Sequence, residues 1–226
     1  MRSKSRELPT TAVAVSLVLA PLFALASALV APALKSDAGP QLQVIAQHPT
    51  RWYWFTVLLL VGSILLVPAL IGIAAMVRER SPRLGDIGGG LAVLGALIAV
   101  GDVMSQLMSW QMVAKGADRA QMAALLDRWD TAGGVGVVFS VGGLSVLIGT
   151  VLLTIGLIRS RVAPAWVAIA LSAAVVVNIM GFTASSNGVV AASWALLLVA
   201  MGYIARIVLG GTEARVPDLH ARPAVR

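Results

Sequence analysis

Cysteine is absent from the 226 residues, which excludes disulfides, thiolate metal sites and thiol catalysis. Histidine occurs twice, as His48 and His220, both outside the long apolar runs. Paired axial haem ligands and a histidine base for an intramembrane serine protease are therefore missing. The three lysines, Lys4, Lys35 and Lys115, also flank the apolar runs, so no mid-span lysine is available for a retinal Schiff base. Asp102 is the one acid inside such a run, whereas intramembrane aspartyl proteolysis needs two facing acids. Gly88-Gly89-Gly90 lacks the Lys-Ser/Thr pair and the preceding strand of a P-loop. No enzymatic activity and no cofactor is expected.

Charge of either sign is scarce: 12% of residues are charged, against about 25% in soluble domains. In its place stand 58% hydrophobic residues and a mean hydropathy of +0.90. Uncharged runs lie between Glu7 and Lys35, Arg51 and Arg78, Asp130 and Arg159, and Arg161 and Arg206. A fifth, from Asp86 to Lys115, is interrupted only by Asp102. A spanning helix needs roughly 20 apolar residues. The run after Arg161 is long enough for two, broken at the turn sequence Ser185-Ser186-Asn187-Gly188. The expectation is an all-α bundle of six transmembrane helices near 10–34, 53–77, 87–113, 131–158, 163–184 and 189–208. Residues 1–9 form a short leading segment, 10–209 the membrane domain, and 210–226 a polar, proline-bearing tail expected to be disordered.

The net charge of +7 is distributed by side. With a cytoplasmic N-terminus, the inner segments 1–8, 78–86, 159–163 and 206–226 hold twelve Lys and Arg residues. The outer segments 35–51, 114–130 and 184–188 hold five. That is the positive-inside asymmetry. It predicts a multi-pass protein of the bacterial inner membrane with both termini cytoplasmic. The partner of the basic excess is then the lipid bilayer, not nucleic acid. Arg2, Lys4 and Arg6 before an apolar stretch with Ala26-Ser27-Ala28 resemble a secretory signal. The stretch runs to roughly 26 residues against about 7–15 in signals, favouring a retained first helix. Pro21 and Pro32 are expected to kink or end it.

Two segments echo each other. QLQVIAQHPTRW (Gln41–Trp52) and QMAALLDRW (Gln121–Trp129) both end in Arg-Trp, and each precedes an apolar run, a basic turn and a proline, Pro82 or Pro164. A tandem repeat of two helical hairpins, as some transporters carry, is one reading. The other is that any inner-membrane hairpin has arginine at one turn and tryptophan at the opposite interface. Met122, Leu125, Leu126 and Trp129 follow helical spacing beside Asp118, Arg119, Asp127 and Arg128, predicting a short amphipathic helix on the outer interface. In the fourth span, Gly136, Gly143 and Thr150 repeat every seven residues, as do Gly142, Gly149 and Gly156. Small-residue stripes let helices approach in lipid. They are expected to make this helix central, and they offer a face to a homo-oligomer or protein partner.

The third span carries the chemistry. At about 100° per residue, Asp102, Ser105, Gln106 and Ser109 fall on one face, expected to point into the bundle. An ionised aspartate at the bilayer centre costs about 2.5–3.5 kcal/mol, so Asp102 must be protonated, hydrogen-bonded or wet. Asn178, Ser63 and Ser140 lie at matching depth on three other spans, predicting a polar layer. Two readings follow: an outward-facing site for a proton, ion or small polar solute, and an internal network that only holds the fold. Met104, Met108 and Met112 form a separate stripe about 120° away. Its M-x-x-x-M spacing is similar to the motif of eukaryotic-type copper transporters, which makes a soft-metal site a weak alternative to ordinary packing. No other metal site is expected.

The stretch RWYWFTVLLLVGSILLVPALIGIAAMVRERSPRLGDIGGGLAVLGAL, followed by MAALLDRWD, resembles a group of six-span actinobacterial-type membrane proteins of unknown function. The likeness covers about residues 48–165: a proline in the second span, a basic turn before a Gly-rich helix start, and an LLDR-type segment. The resemblance implies the architecture and leaves the activity open. The expected role is therefore small-solute, ion or proton handling around Asp102, with a non-catalytic membrane subunit or scaffold as the alternative.

Overall fold

The computed structural model describes residues 10–131 and 133–213. Eight helices and no strand occur among them: α1 (Thr10–Val30), α2 (Ala38–Gln47), α3 (Pro49–Arg78), α4 (Pro82–Gln111), α5 (Arg119–Thr131), α6 (Gly133–Ser160), α7 (Ala165–Thr183) and α8 (Asn187–Glu213). Six are long and apolar enough to cross a bilayer: α1, α3, α4, α6, α7 and α8. The chain is a multi-pass membrane protein of all-α class. Each observed span covers its expected range to within a few residues. The first ends at Val30, just before Pro32, and Pro21 lies inside it.

Prolines start three of the spans. Pro49 and Pro82 occupy the first helical position of α3 and α4, and Pro164 caps α7. There the missing N–H deprives the helix of nothing. The α7–α8 turn closes with Ser185 in the left-handed region (φ 51°), and the Ser186 N–H donates to the Gly181 carbonyl at 2.9 Å. This is the 6→1 bond of a Schellman ending.

The six spans close into a ring. α1 packs on α3, α3 on α4, α4 on α6, α6 on α7, α7 on α8, and α8 back on α1. The α3–α4 and α6–α7 turns lie on one face, where the Arg80 guanidinium donates to the Ser160 carbonyl at the end of α6. This is the arginine face. α2 and α5 touch each other on the opposite face. α5 matches the amphipathic helix expected over Gln121–Asp130, while α2 was not anticipated: Gly39 and Pro40 early in its length mask the pattern. The α1 terminus is tied to that face by Arg51, whose guanidinium donates to the Val30 and Ala31 carbonyls at 3.1 Å. Asn187 also donates there, to Ala31 and Pro32. These side chains satisfy carbonyls that a helix end leaves open.

Small residues set the seams. Gly88 and Gly149 meet across α4–α6, as do Gly95 and Gly142, so closely that an added Cβ would overlap the facing helix. The Gly142, Gly149 and Gly156 stripe is thus used inside the chain, against α4 and Val77 of α3. That stripe is not a free face for a partner, and α6 is a ring member, not a central post. Val137, Leu144, Ile148 and Ile155 of α6 stand exposed on the ring exterior, as lipid contact demands. The segment 1–9 and the residues 214–226 lie outside the described residues. α8 continues through 210–213, past the expected domain boundary at 209.

Candidate functional site

Two packed regions divide the ring interior. Toward the arginine face, all six spans contribute to a dense core around Leu17, Ile73, Leu153, Leu157, Leu171 and Ile204. Toward the α2/α5 face, a second cluster holds Leu42 and Ile45 of α2 with Trp52, Phe55 and Val103, flanked by Met122 and Leu126 of α5. Between them lies a cavity of about 370 Å³. Its floor is Leu70, Leu171 and Met201, and its roof includes Leu59, Val103 and Trp194. Five spans line it; α1 does not.

The polar lining comes from every one of those five. α3 supplies Ser63, α4 supplies Asp102 and Gln106, α6 supplies Thr150, α7 supplies Asn178, and α8 supplies Ser193. Asp102 is the one ionisable group among the lining residues. Helical periodicity explains the α4 contribution: Ala96, Ala99, Val103 and Gln106 recur at three- and four-residue steps, with Asp102 beside them.

Of the residues singled out by sequence, the structure brings Asp102, Gln106, Asn178 and Ser63 to one cavity. Ser105 and Ser109 lie off its wall. The Ser105 hydroxyl donates to the Asp102 backbone carbonyl at 2.6 Å, and Ser109 is buried. Ser140 is exposed on α6, one turn from the lining residue Gly143. The face of α6 that meets the cavity runs through Gly143, Val146 and Thr150 instead. Met104 and Met108 are exposed on the bundle exterior, and Met112 packs with the apolar cluster near α2 and α5, so the methionines do not share the cavity. No group of three or more His, Asp or Glu residues able to hold a metal occurs among the described residues.

Three lining residues with polar side-chain atoms were not singled out as site residues: Thr150, Ser193 and Trp194. Ser193 had a readable signal. It lies six residues after the start of α8, and Asn178 lies five before the end of α7, so the two face each other across a tight hairpin. The Asn178 Nδ2 donates to Ser193 Oγ at 2.8 Å, and Ser193 Oγ donates to the Val190 carbonyl at 2.6 Å. The Trp194 indole nitrogen is buried and has no hydrogen-bond partner among the described residues. Trp52, by contrast, donates its indole N–H to the Gln106 carbonyl at 3.0 Å, pinning α3 to α4 beside the cavity.

A mostly apolar chamber of this size with a few convergent polar groups has the make-up of a small-molecule site, whose volumes run about 300–1,000 Å³. Among the described lining residues Asp102 supplies the one carboxyl group, and the other polar groups are neutral. Comparison with known protein families, curated proteins and solved structures gives no match for this chain.

Proposed function

We infer that this protein binds a small solute in the intramembrane cavity around Asp102 and handles it as a transporter or receptor in a bacterial plasma membrane. The observation that carries the reading is the convergence of polar side chains from five spans on one chamber. Energetics support it. Asp at mid-membrane costs about 2.5–3.5 kcal/mol, while a hydrogen bond between spans returns about 0.6 kcal/mol. A purely structural tie is served at lower cost by neutral groups, as in the Asn178–Ser193 pair. The dense core toward the arginine face suits a chamber closed on that side. With the basic turns cytoplasmic, as the positive-inside asymmetry predicts, the chamber lies in the outer half of the membrane.

A second reading, a scaffold whose polar layer only holds the helices, is favoured by the same Asn178–Ser193 bond, which is satisfied within the α7–α8 hairpin. Because the chain has no cysteine, single substitutions separate the two. Asp102→Cys, Gln106→Cys and Asn178→Cys are treated in membranes with a water-soluble and a lipid-soluble maleimide, with Ser186→Cys as the exposed control. Reaction at 102 and 178 with either reagent supports a solute chamber. Protection from both reagents, with the control labelled, leaves the scaffold.

A further inference from the structure

A second concavity lies on the ring exterior, along the α3–α4 seam at its arginine-face end. It is a cleft of about 270 Å³, lined by Ile71, Ala75 and Arg78 of α3 and by Asp86, Gly90 and Val93 of α4. On each helix these residues recur at three- and four-residue steps and so share a face. All are exposed except Val93, which is half-buried. Small residues close the floor. A Cβ added at Gly89 would overlap Ala74, and one at Gly85 would overlap the Arg78 backbone, whereas one at Gly90 meets nothing within 4 Å. The helices therefore touch at the bottom of the cleft, and its outer edge is open. From Arg78 to Ile71 it follows two turns of α3, about 10 Å. Both helices are spans, and beyond the charged mouth the exposed walls are apolar, so lipid chains are what a membrane sets against them. No lining residue is shared with the cavity around Asp102.

The mouth carries one charge of each sign. Arg78 Nη1 and Asp86 Oδ1 stand 3.7 Å apart, with side chains 62% and 60% exposed. An ion pair so open to water is weak, and it yields to a ligand that offers each partner a closer one. Glu79, Arg80 and Arg83 of the same turn do not line the cleft, and Arg80 donates to the Ser160 carbonyl. We propose that the cleft binds a phospholipid with a phosphoethanolamine head. One acyl chain lies along the apolar walls, the phosphate takes Arg78, and the primary ammonium takes Asp86. The guanidinium presents paired N–H donors to phosphate oxygens, and the carboxylate accepts from the ammonium. A phosphoglycerol head supplies the anion but sets a second negative charge beside Asp86. A quaternary choline head has no N–H to donate.

The test equilibrates full-length protein in detergent micelles with dioleoyl phosphatidylethanolamine, phosphatidylcholine or phosphatidylglycerol and counts retained lipid by native mass spectrometry. The expected result is one retained ethanolamine lipid, bound about ten-fold more tightly than either of the others, as one hydrogen bond between charged groups provides. Gly90→Leu, which fills the cleft, is expected to remove it. Gly101→Leu, in open space further along the same helix, is expected to leave it in place. Asp86→Asn is expected to erase the advantage over phosphatidylglycerol, and Arg78→Gln to weaken all three lipids. Both of these change exposed side chains, so the head assignment is tested even if Gly90→Leu does not fold. Equal retention of the three lipids by the parent, or a preference for the glycerol head, would overturn the phosphoethanolamine assignment. Retention unchanged in a folded Gly90→Leu variant would overturn the cleft as the site. A lipid-free dimer that Gly90→Leu separates would overturn the proposal in favour of a second copy of the chain.

Discussion

Asn178 of α7 and Ser193 of α8 are joined at 2.8 Å on the wall of an intramembrane cavity, and the Ser193 hydroxyl in turn donates to the Val190 carbonyl. The pair is thus both a fastener of the α7–α8 hairpin and part of the polar lining. A double-mutant cycle with Asn178→Ala and Ser193→Ala is expected to show coupling of about 0.6 kcal/mol, the average for hydrogen bonds between spans. Unfolding in mixed micelles measures it. Coupling near zero would mean that the pair does not hold the hairpin.

The α4–α6 seam predicts a contrast between glycines. Gly149→Leu forces a side chain into the backbone of α4 near Ala92 and is expected to abolish the folded peak on size-exclusion chromatography. Gly143→Ala, six residues away in open space inside the same helix, is expected to keep the fold and to gain up to about 1 kcal/mol from the better helix former.

Ser185 holds a left-handed conformation, which costs a non-glycine residue about 1–2 kcal/mol. Ser185→Gly is expected to raise stability by about 0.4–1 kcal/mol, the extra freedom glycine gives the unfolded chain offsetting part of the relief. A lower melting temperature in this variant would contradict the strain.

Arg80 bridges the two turns of the arginine face through the Ser160 carbonyl. Arg80→Ala removes that bond and is expected to destabilise by about 1 kcal/mol, the usual net value of one hydrogen bond. Thermal unfolding of Arg80→Ala beside Arg83→Ala, a neighbouring arginine change, separates the bond from the loss of charge.

Sidedness is testable with the same cysteine-free chain. Ser186→Cys and Lys115→Cys are expected to react with an impermeant maleimide added to intact cells, and Arg80→Cys and Arg161→Cys only after lysis. The reverse pattern would invert the orientation that the arginine distribution predicts.

That Asp102, Asn178 and Ser63 share a level was legible because depth in a membrane is a one-dimensional property, and Gln106 followed from its place one turn on along the same face of the helix. Counting residues from a charged turn places a side chain along the bilayer normal at about 1.5 Å per residue. Ser140 satisfied the same count yet lies on the exterior, since depth says nothing about rotation around the bundle. The short helix α2 escaped because its ten residues include an early glycine and proline. The Gly142, Gly149 and Gly156 stripe was visible as a contact surface. That its partners are α4 and Val77 of the same chain was not.

Sequence by itself determined the number, limits and class of the spans, because transfer of an apolar segment into lipid depends on local composition and length. It also carried the arginine asymmetry. Tertiary structure decided which faces meet. The closed order of six helices and the meeting of Ser63, Asp102, Gln106, Asn178 and Ser193 at one cavity depend on shape fit between small residues on different helices. Lipid is as apolar as the side chains it touches, so hydrophobicity chooses no neighbour there; close packing at glycines such as Gly88, Gly95, Gly142 and Gly149 does.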